Sequence, residues 1–340
     1  MSSPSDPAQP PEDPAPAAQR RPSPTDDLEY RHRTGRLHFS ARGRGLDATA
    51  LGQLVLQLPG TVTSLLVVLL IASALDAWLG MPLWVLPLAW LLSGVLVFHR
   101  PTEDFLARHL LRLHRPLPAD HERLAPVWHE VTARAGVDGR TYELWIEESE
   151  DLNAYAAAGH IVGVTRYTLD HLPTSQLAAV LAHELGHHTG GHVWSSLLGE
   201  WYALPGRWAW RLIRFLLALA VAWSQRRSWS ATALLLGVLV FITLTTLEHL
   251  YGLPLLLLAT PYLMAAVGRR AELRADQHAA ALGFGRELAV VLETMHQVGR
   301  TAGHTKAAAG LRRGGPGFLE RLLDTHPDYP TRLHRLRPYL

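Results

Sequence analysis

The chain has 340 residues, 48% of them hydrophobic, and a nearly balanced charge of 32 Lys and Arg against 30 Asp and Glu. Its basic residues are almost all arginine and are scattered, so no basic run with interleaved aromatics indicates nucleic-acid binding. Cysteine is absent, which excludes disulfides and thiolate metal sites and leaves His, Asp and Glu as metal ligands.

The first segment, residues 1–28, is predicted to be a disordered tail. Met1 to Asp27 is rich in Pro, Ala, Ser and Asp and has almost no large apolar residues. Such a segment buries too little surface to offset the entropy that it would lose on ordering.

Residues 29–100 contain two apolar segments that predict a transmembrane helical hairpin. Leu51–Leu75 carries no charge and is long enough to cross a bilayer, and Ala77–Phe98 is the second such segment. The turn between them is marked by Asp76, Gly80 and Pro82. A cleaved signal peptide is the alternative, but the region before it is too long and a second span follows at once.

Arginines flank both ends of this hairpin: Arg31, Arg33, Arg36, Arg42 and Arg44 precede it, and Arg100, Arg108, Arg112 and Arg115 follow it. Positively charged flanks stay in the cytoplasm, so only the short turn is expected outside. Residues 101–203, which read as the first part of a catalytic domain, are therefore expected to face the cytoplasm.

The pentapeptide His183-Glu184-Leu185-Gly186-His187 lies in that domain, on a helix predicted to begin at Thr174 or Ser175. Two imidazoles four residues apart project from one helix face and suit a tetrahedral zinc ion, and Glu184 lies beside the position of an attacking water. His188 and His192 adjoin the pentapeptide and are expected to face away from the metal.

Upstream of this helix, residues Asn153 to Val164 are predicted to form two short strands that turn at Gly159-His160.

Residues 204–268 are apolar again and contain three candidate segments. Leu204–Trp223 carries Arg207, Arg211 and Arg214 at helical spacing, which favours an amphipathic helix lying on the membrane. Trp229–Tyr251 and Leu253–Gly268 are then expected to form a second transmembrane hairpin. An even number of crossings returns the chain to the side of the His pair.

A third protein ligand for zinc has to come from elsewhere in the chain. One zincin class uses a third histidine six residues past the second, but that position holds Val193. Another class uses a downstream glutamate. Glu200 follows the pentapeptide too closely, and Glu248 lies at the edge of a predicted span.

Glu272 emerges from the last span on the correct side, in the second part of the catalytic domain, residues 269–340. It is the best candidate for the third ligand. Asp276 lies one turn further on, where it can accept the free N–H of a ligating imidazole and fix its tautomer.

From about Asp120 to the C-terminus the chain resembles the HtpX-type integral-membrane zinc metalloproteases, whose wider family includes the CAAX prenyl endopeptidases. Four blocks carry the resemblance, in the family's order: Asn153-Ala154-Tyr155, His183 to His187, Glu272 to Asp276, and Thr325-His326-Pro327 with Arg332. The chain departs from the family in its long N-terminal tail and in Asp328, where a second proline is common.

The resemblance implies a mostly α-helical integral membrane protein with a zincin-type α+β catalytic domain that is interrupted by transmembrane helices. It implies one Zn²⁺ per chain on His183, His187 and Glu272. It also implies that Asn153 binds the substrate backbone, that the strand from Ala154 through Tyr155 and Ala156 to Ala158 receives the substrate, and that His326 and Arg332 stabilise the oxyanion.

The expected function is a membrane-embedded zinc metalloendopeptidase, with Glu184 as its general base. Its partners are polypeptide substrates, expected to be membrane proteins under quality control, and the lipid bilayer of the cell membrane, which the chain crosses several times. Alternatives are a prenyl-type or sensor protease, or a scaffold with structural zinc. A structural site normally has a fourth protein ligand and would leave Glu184 unexplained.

Overall fold

The computed structural model describes residues 24–31, 48–109, 111–157, 159–227, 253–308 and 328–340, together with positions 230, 233 and 237. It is mostly helical with a small sheet, as the sequence predicts. The helices are α1 (Ala48–Leu79), α2 (Val85–Ser93), α3 (Arg100–His109), α4 (Pro118–Ala135), α5 (Arg166–His171), α6 (Thr174–Thr189), α7 (His192–Arg227), α8 (Leu253–Ala279), α9 (Gly285–Ala308) and α10 (Tyr329–Leu336). The strands are β1 (Leu113–His114), β2 (Glu143–Glu147), β3 (Ala154–Ala157) and β4 (Ile161–Thr165).

The four strands form one sheet in the order β1-β2-β4-β3. β2 and β4 are parallel, whereas β1 and β3 are antiparallel to their neighbours. The predicted hairpin is confirmed, since Ala154 pairs with Val164 and Ala157 with Ile161. Gly159 adopts φ of 74° in its turn, a conformation that favours glycine. Ala158 lies outside the described residues. Among the described strands, β3 lies at an edge of the sheet and has β4 as its one neighbour.

Helix α6 lies at the centre of the catalytic domain and packs against α4, α8, α9 and β3. Its fully buried residues include Leu177, Leu181 and Leu185, which recur every fourth position. Burying a leucine stabilises a fold by about 1.5–3 kcal/mol, so this apolar stripe anchors the helix that carries both histidines.

The N-terminus of α6 is capped by a distant part of the chain. The helix begins at Thr174, one of the two predicted starts, and Pro173 at its N-cap position has no side chain that can cap it. Instead, Asp27 accepts hydrogen bonds from the Ser175 backbone N–H and hydroxyl, both at 2.8 Å. The Thr25 carbonyl accepts the Thr174 N–H at 3.0 Å. An acidic group is favourable there because the helix dipole is positive at its N-terminus.

This contact corrects the predicted extent of the disordered tail. Residues 24–28 are ordered against the catalytic domain, and Leu28 packs on its hydrophobic core. The rest of the predicted tail, residues 1–23, lies outside the described residues.

Helix α1 extends past the predicted end of the first span and ends before Gly80, which adopts φ of 67°. Of the described residues, Ala50–Leu79 forms the one helix that is long and apolar enough to cross a membrane. Val85–Phe98 with Arg100–His109, bent by 75°, counts as a second if this pair is one broken span. Most of Trp229–Tyr251 lies outside the described residues, and Leu253–Gly268 is the first part of α8.

The structure differs from the sequence prediction at residues 204–223. They are not a separate helix but the second part of α7, which is continuous through Leu204. α7 runs parallel to α1, since Gly60 lies opposite Ala203 and the Gly206 N–H donates to the Ser64 hydroxyl at 2.9 Å. Small residues at these positions let the two helices approach closely.

The Asp27 cap predicts a loss of stability when it is removed. We expect Asp27→Ala to lower the free energy of unfolding by about 1 kcal/mol, because the Ser175 N–H loses its acceptor. Thermal or denaturant unfolding of the full chain in detergent measures this. Asp27→Asn keeps a side-chain oxygen that caps almost as well, so it should remain close to wild type. Equal stability of the alanine variant and wild type would contradict the cap.

Candidate metal centre

Three side chains from two helices converge on one point inside the catalytic domain. Nε2 of His183 lies 3.3 Å from Nε2 of His187. Glu272 on α8 places one carboxylate oxygen 3.5 Å from Nε2 of His183 and the other 3.6 Å from Nε2 of His187. Tetrahedral ligands at about 2.0–2.1 Å from zinc lie roughly 3.3–3.4 Å apart. The distances and the two-nitrogen, one-carboxylate donor set therefore fit a zinc ion.

Close packing of α6 on α8 produces this convergence. Gly186 faces α8, and a Cβ atom added there would lie 3.0 Å from the Ala275 Cα and 3.3 Å from its Cβ. A side chain at position 186 would therefore crowd α8 at the turn after Glu272. Ala275 and Ala279, both buried and small, form the facing surface on α8.

Asp276 and Arg332 fix the orientation of His183. The Asp276 carboxylate lies 2.9 Å from Nδ1 of His183 and accepts two hydrogen bonds from the Arg332 guanidinium, at 2.8 and 2.6 Å. Burial opposes ionisation of Asp276, but the hydrogen bonds from Arg332 and His183 lower its pKa. An ionised Asp276 holds the His183 proton on Nδ1 and leaves Nε2 free to bind a metal.

Glu184 is buried beside the three donors. It lines a cavity that His183, His187 and Glu272 also line. Burial raises its pKa to about 7, although the charge of His183 opposes this shift. A carboxyl group with a pKa near neutrality can both accept and return a proton. Glu184 therefore has the environment of a general acid and base.

The cavity has a volume of about 830 Å³. One wall consists of Asn153, Ala154, Tyr155 and Ala156, which border it consecutively, so the cavity lies along the free edge of β3. Such an edge can bind an extended polypeptide by adding it as a further strand. An apolar part of the cavity wall includes Met264 of α8 with Leu288 and Leu292 of α9.

Threonines hold the start of the wall that Asn153 to Ala156 form. The Asn153 N–H lies 2.9 Å from the Thr168 hydroxyl and 3.2 Å from the Thr165 hydroxyl, and its carbonyl accepts the Thr165 N–H at 3.1 Å. The backbone N–H and carbonyl of Asn153 are both engaged in these hydrogen bonds. Its side-chain amide is therefore the group that can form a hydrogen bond with a molecule in the cavity.

The structure thus brings most of the predicted site residues to one cavity: His183, Glu184, His187, Glu272, Arg332 and Asn153 to Ala156 line it, and Asp276 lies directly behind His183. The Arg332 guanidinium pairs with Asp276 and lies 3.4 Å from Glu272, and its predicted role towards an oxyanion stays a prediction. His326 lies outside the described residues, and its predicted role stays a prediction.

Several cavity residues were not predicted, and one of them is a polar residue of α1. Gln53 of α1 lines the cavity alongside the metal-ligand candidates. Its sequence signal is slight, a polar side chain in an apolar helix, and it does not distinguish Gln53 from Gln57 one turn later. Only the packing of α1 against the catalytic domain identifies it.

A comparison with protein families gives one match, to peptidase family M48, over residues 118–339. The match covers about two thirds of the chain and includes every candidate metal ligand. No curated protein matches the chain.

Proposed function

Because the chain belongs to peptidase family M48, and is therefore a metallopeptidase, we propose that it is an HtpX-like, zinc-dependent endopeptidase embedded in a membrane. The observation that carries this proposal is the juxtaposition of the three donors, Glu184 and the free edge of β3 in one cavity. Three protein ligands are typical of catalytic zinc, whereas structural zinc normally has four.

His183, His187 and Glu272 would hold the zinc ion. Zinc, when bound, lowers the pKa of water and polarises a carbonyl group. Asp276 supports this site by holding His183 in the ligating tautomer, and Arg332 in turn holds Asp276. Loss of such supporting contacts typically weakens metal binding about 10–100-fold.

The substrate binds as an extended strand along β3. Its backbone pairs with Ala154 and Ala156, and the Asn153 side chain donates to a substrate carbonyl. This arrangement places main-chain atoms of the substrate beside Glu184. Any preference for particular substrate side chains would come from the apolar residues of α8 and α9 in the cavity wall. It suits polypeptides that lack tertiary structure at the cleavage site, as damaged or misfolded proteins do.

Glu184 takes a proton from water as the water oxygen attacks the peptide carbonyl, and the carbon becomes tetrahedral. Glu184 then gives that proton to the departing amine as the C–N bond breaks, so the products are a carboxyl and an amino terminus. The negative oxygen of the tetrahedral species is stabilised by Arg332, which lines the cavity, and by His326. Each donor of this kind typically contributes about 3–4 kcal/mol.

Exposed apolar surface supports the membrane location. Large side chains of α1, α2 and α7 are exposed, among them Leu66, Leu70, Leu91, Leu92 and Phe215. A patch of this extent is unfavourable in water and typical of contact with lipid. We therefore place α1 and α2 across the bilayer with the catalytic domain in the cytoplasm, and membrane proteins as the substrates.

The direction of α7 extends this topology. Because α7 is parallel to α1 and packs against it, α7 enters the bilayer beside α1, and α8 returns the chain towards the site. Arg207, Arg211 and Arg214 are exposed on α7, and their long side chains can extend towards the lipid headgroups.

Glu184→Ala tests the proposed chemistry. We expect this variant to bind one zinc per chain but to lose at least about 100-fold in kcat, the usual contribution of a general base. The measurement is cleavage of a fluorescently labelled unfolded protein by purified chain in detergent, with zinc determined by elemental analysis. Glu122→Ala, an exposed change on α4, is the matched control. Wild-type activity in Glu184→Ala would overturn the mechanism.

Cysteine labelling tests the topology. The wild-type chain has no cysteine, so it should not be labelled and serves as the negative control. A membrane-impermeant maleimide should label Met81→Cys, in the turn after α1, and Gln225→Cys, at the end of α7, in intact cells. Glu150→Cys, in an exposed loop of the catalytic domain, should react only after permeabilisation. The reverse pattern at positions 81 and 150 would contradict the membrane arrangement. If the cysteine at position 225 does not react with the maleimide in intact cells, α7 does not cross the membrane.

A further inference from the structure

His188 follows a proposed zinc ligand in sequence but takes no part in the metal site. Its side chain is buried, with 9% of the residue exposed. Nδ1 lies 3.0 Å from the carbonyl oxygen of Gly159, and Nε2 lies 3.0 Å from the carbonyl oxygen of Ile161. The imidazole ring therefore spans two backbone acceptors of the β3–β4 hairpin.

These two carbonyls flank the hairpin turn, where the His160 carbonyl also accepts the Glu143 N–H at 2.8 Å. Gly159 provides the left-handed conformation of the turn, and His160 between them contacts the buried Glu103 carboxylate at 3.0 Å. On its other side the His188 ring packs against Tyr142, with ring centroids 4.9 Å apart. His188 is thus held in place by the domain core while it contacts the turn.

Helix α6 contacts the same hairpin one turn earlier. The backbone N–H of Ala156 in β3 lies near the Glu184 carboxylate and favours its ionised form. Residues 184 and 188 are separated by about 6 Å along the helix axis. The contacts of α6 with the hairpin at these two positions restrain where β3 lies relative to His183 and His187.

We propose that His188 is a positioning residue that sets the register of the substrate-binding edge of β3 against the metal ligands. This inference rests on the proposed function, in which β3 binds the substrate backbone. A neutral imidazole donates through one nitrogen at a time, so either tautomer ties α6 to one of the two carbonyls. The register matters because a misplacement of about 1 Å at a reacting centre can reduce the rate about 100-fold.

The test compares His188→Phe, which keeps an aromatic ring but has no donor, with His188→Gln, which keeps an N–H. We expect His188→Phe to bind zinc normally and to lose about 10–100-fold in kcat, with KM changed by less than about threefold. His188→Gln should recover most of the loss. His171→Phe, an exposed change on α5, is the control and should match wild type.

Two further readouts separate positioning from a general structural role. Mass spectrometry of the products from one defined unfolded peptide should show additional cleavage positions in His188→Phe, because a strand with loose register can slip along its partner. In the metal-free protein, backbone amides of the β3–β4 hairpin should exchange hydrogen faster in His188→Phe than in wild type. If His188→Phe does not fold, His188→Leu provides the same comparison.

The outcomes distinguish this inference from the proposed function. A wild-type chain without peptidase activity would overturn both. An active wild type with unchanged kcat, products and hairpin exchange in His188→Phe would overturn the role of His188 alone. Loss of zinc from His188→Phe would also overturn it, because His188 would then act on the metal site itself.

Discussion

The close approach of α6 and α8 at Gly186 and Ala275 is the constraint on which the site depends. Each helix supplies an incomplete donor set, two imidazoles from one and a carboxylate from the other. Only a glycine on α6 facing small residues on α8 brings Glu272 within 3.5 and 3.6 Å of the two histidines. The same contact places Asp276 against His183, so one packing interface determines both the ligands and their orientation.

The rest of the domain supports α6 from its other sides. Asp27 caps its N-terminus, its leucines fill the core, and Arg332 of α10 connects the C-terminal helix to Asp276. The cavity lies between this buried network and the free edge of β3. In the proposed function, β3 binds the polypeptide and Glu184 transfers protons, and the contacts between α6 and the hairpin link these two elements.

Local pattern predicted much of this arrangement. The spacing of His183 and His187 indicates one helix face, the glycine turn predicts the β3–β4 hairpin, and Glu272 follows from eliminating nearer carboxylates. Contacts between residues far apart in sequence were not predictable: Asp27 caps Ser175 across 148 positions, and Arg332 pairs with Asp276 rather than projecting freely. The continuity of α7 was not predicted. Arg207, Arg211 and Arg214 suggested that a separate helix begins near Leu204, whereas α7 continues through this region and packs against α1.

Zinc content of two glutamate variants tests the central claim most directly. Glu272→Ala should purify folded but with little zinc, because it removes a ligand from the three-donor site. Glu200→Ala, the nearer glutamate in sequence, should retain one zinc per chain, since Glu200 is exposed and pairs with Arg207. Full zinc occupancy in Glu272→Ala, or its loss in Glu200→Ala, would contradict the metal centre described by these two helices.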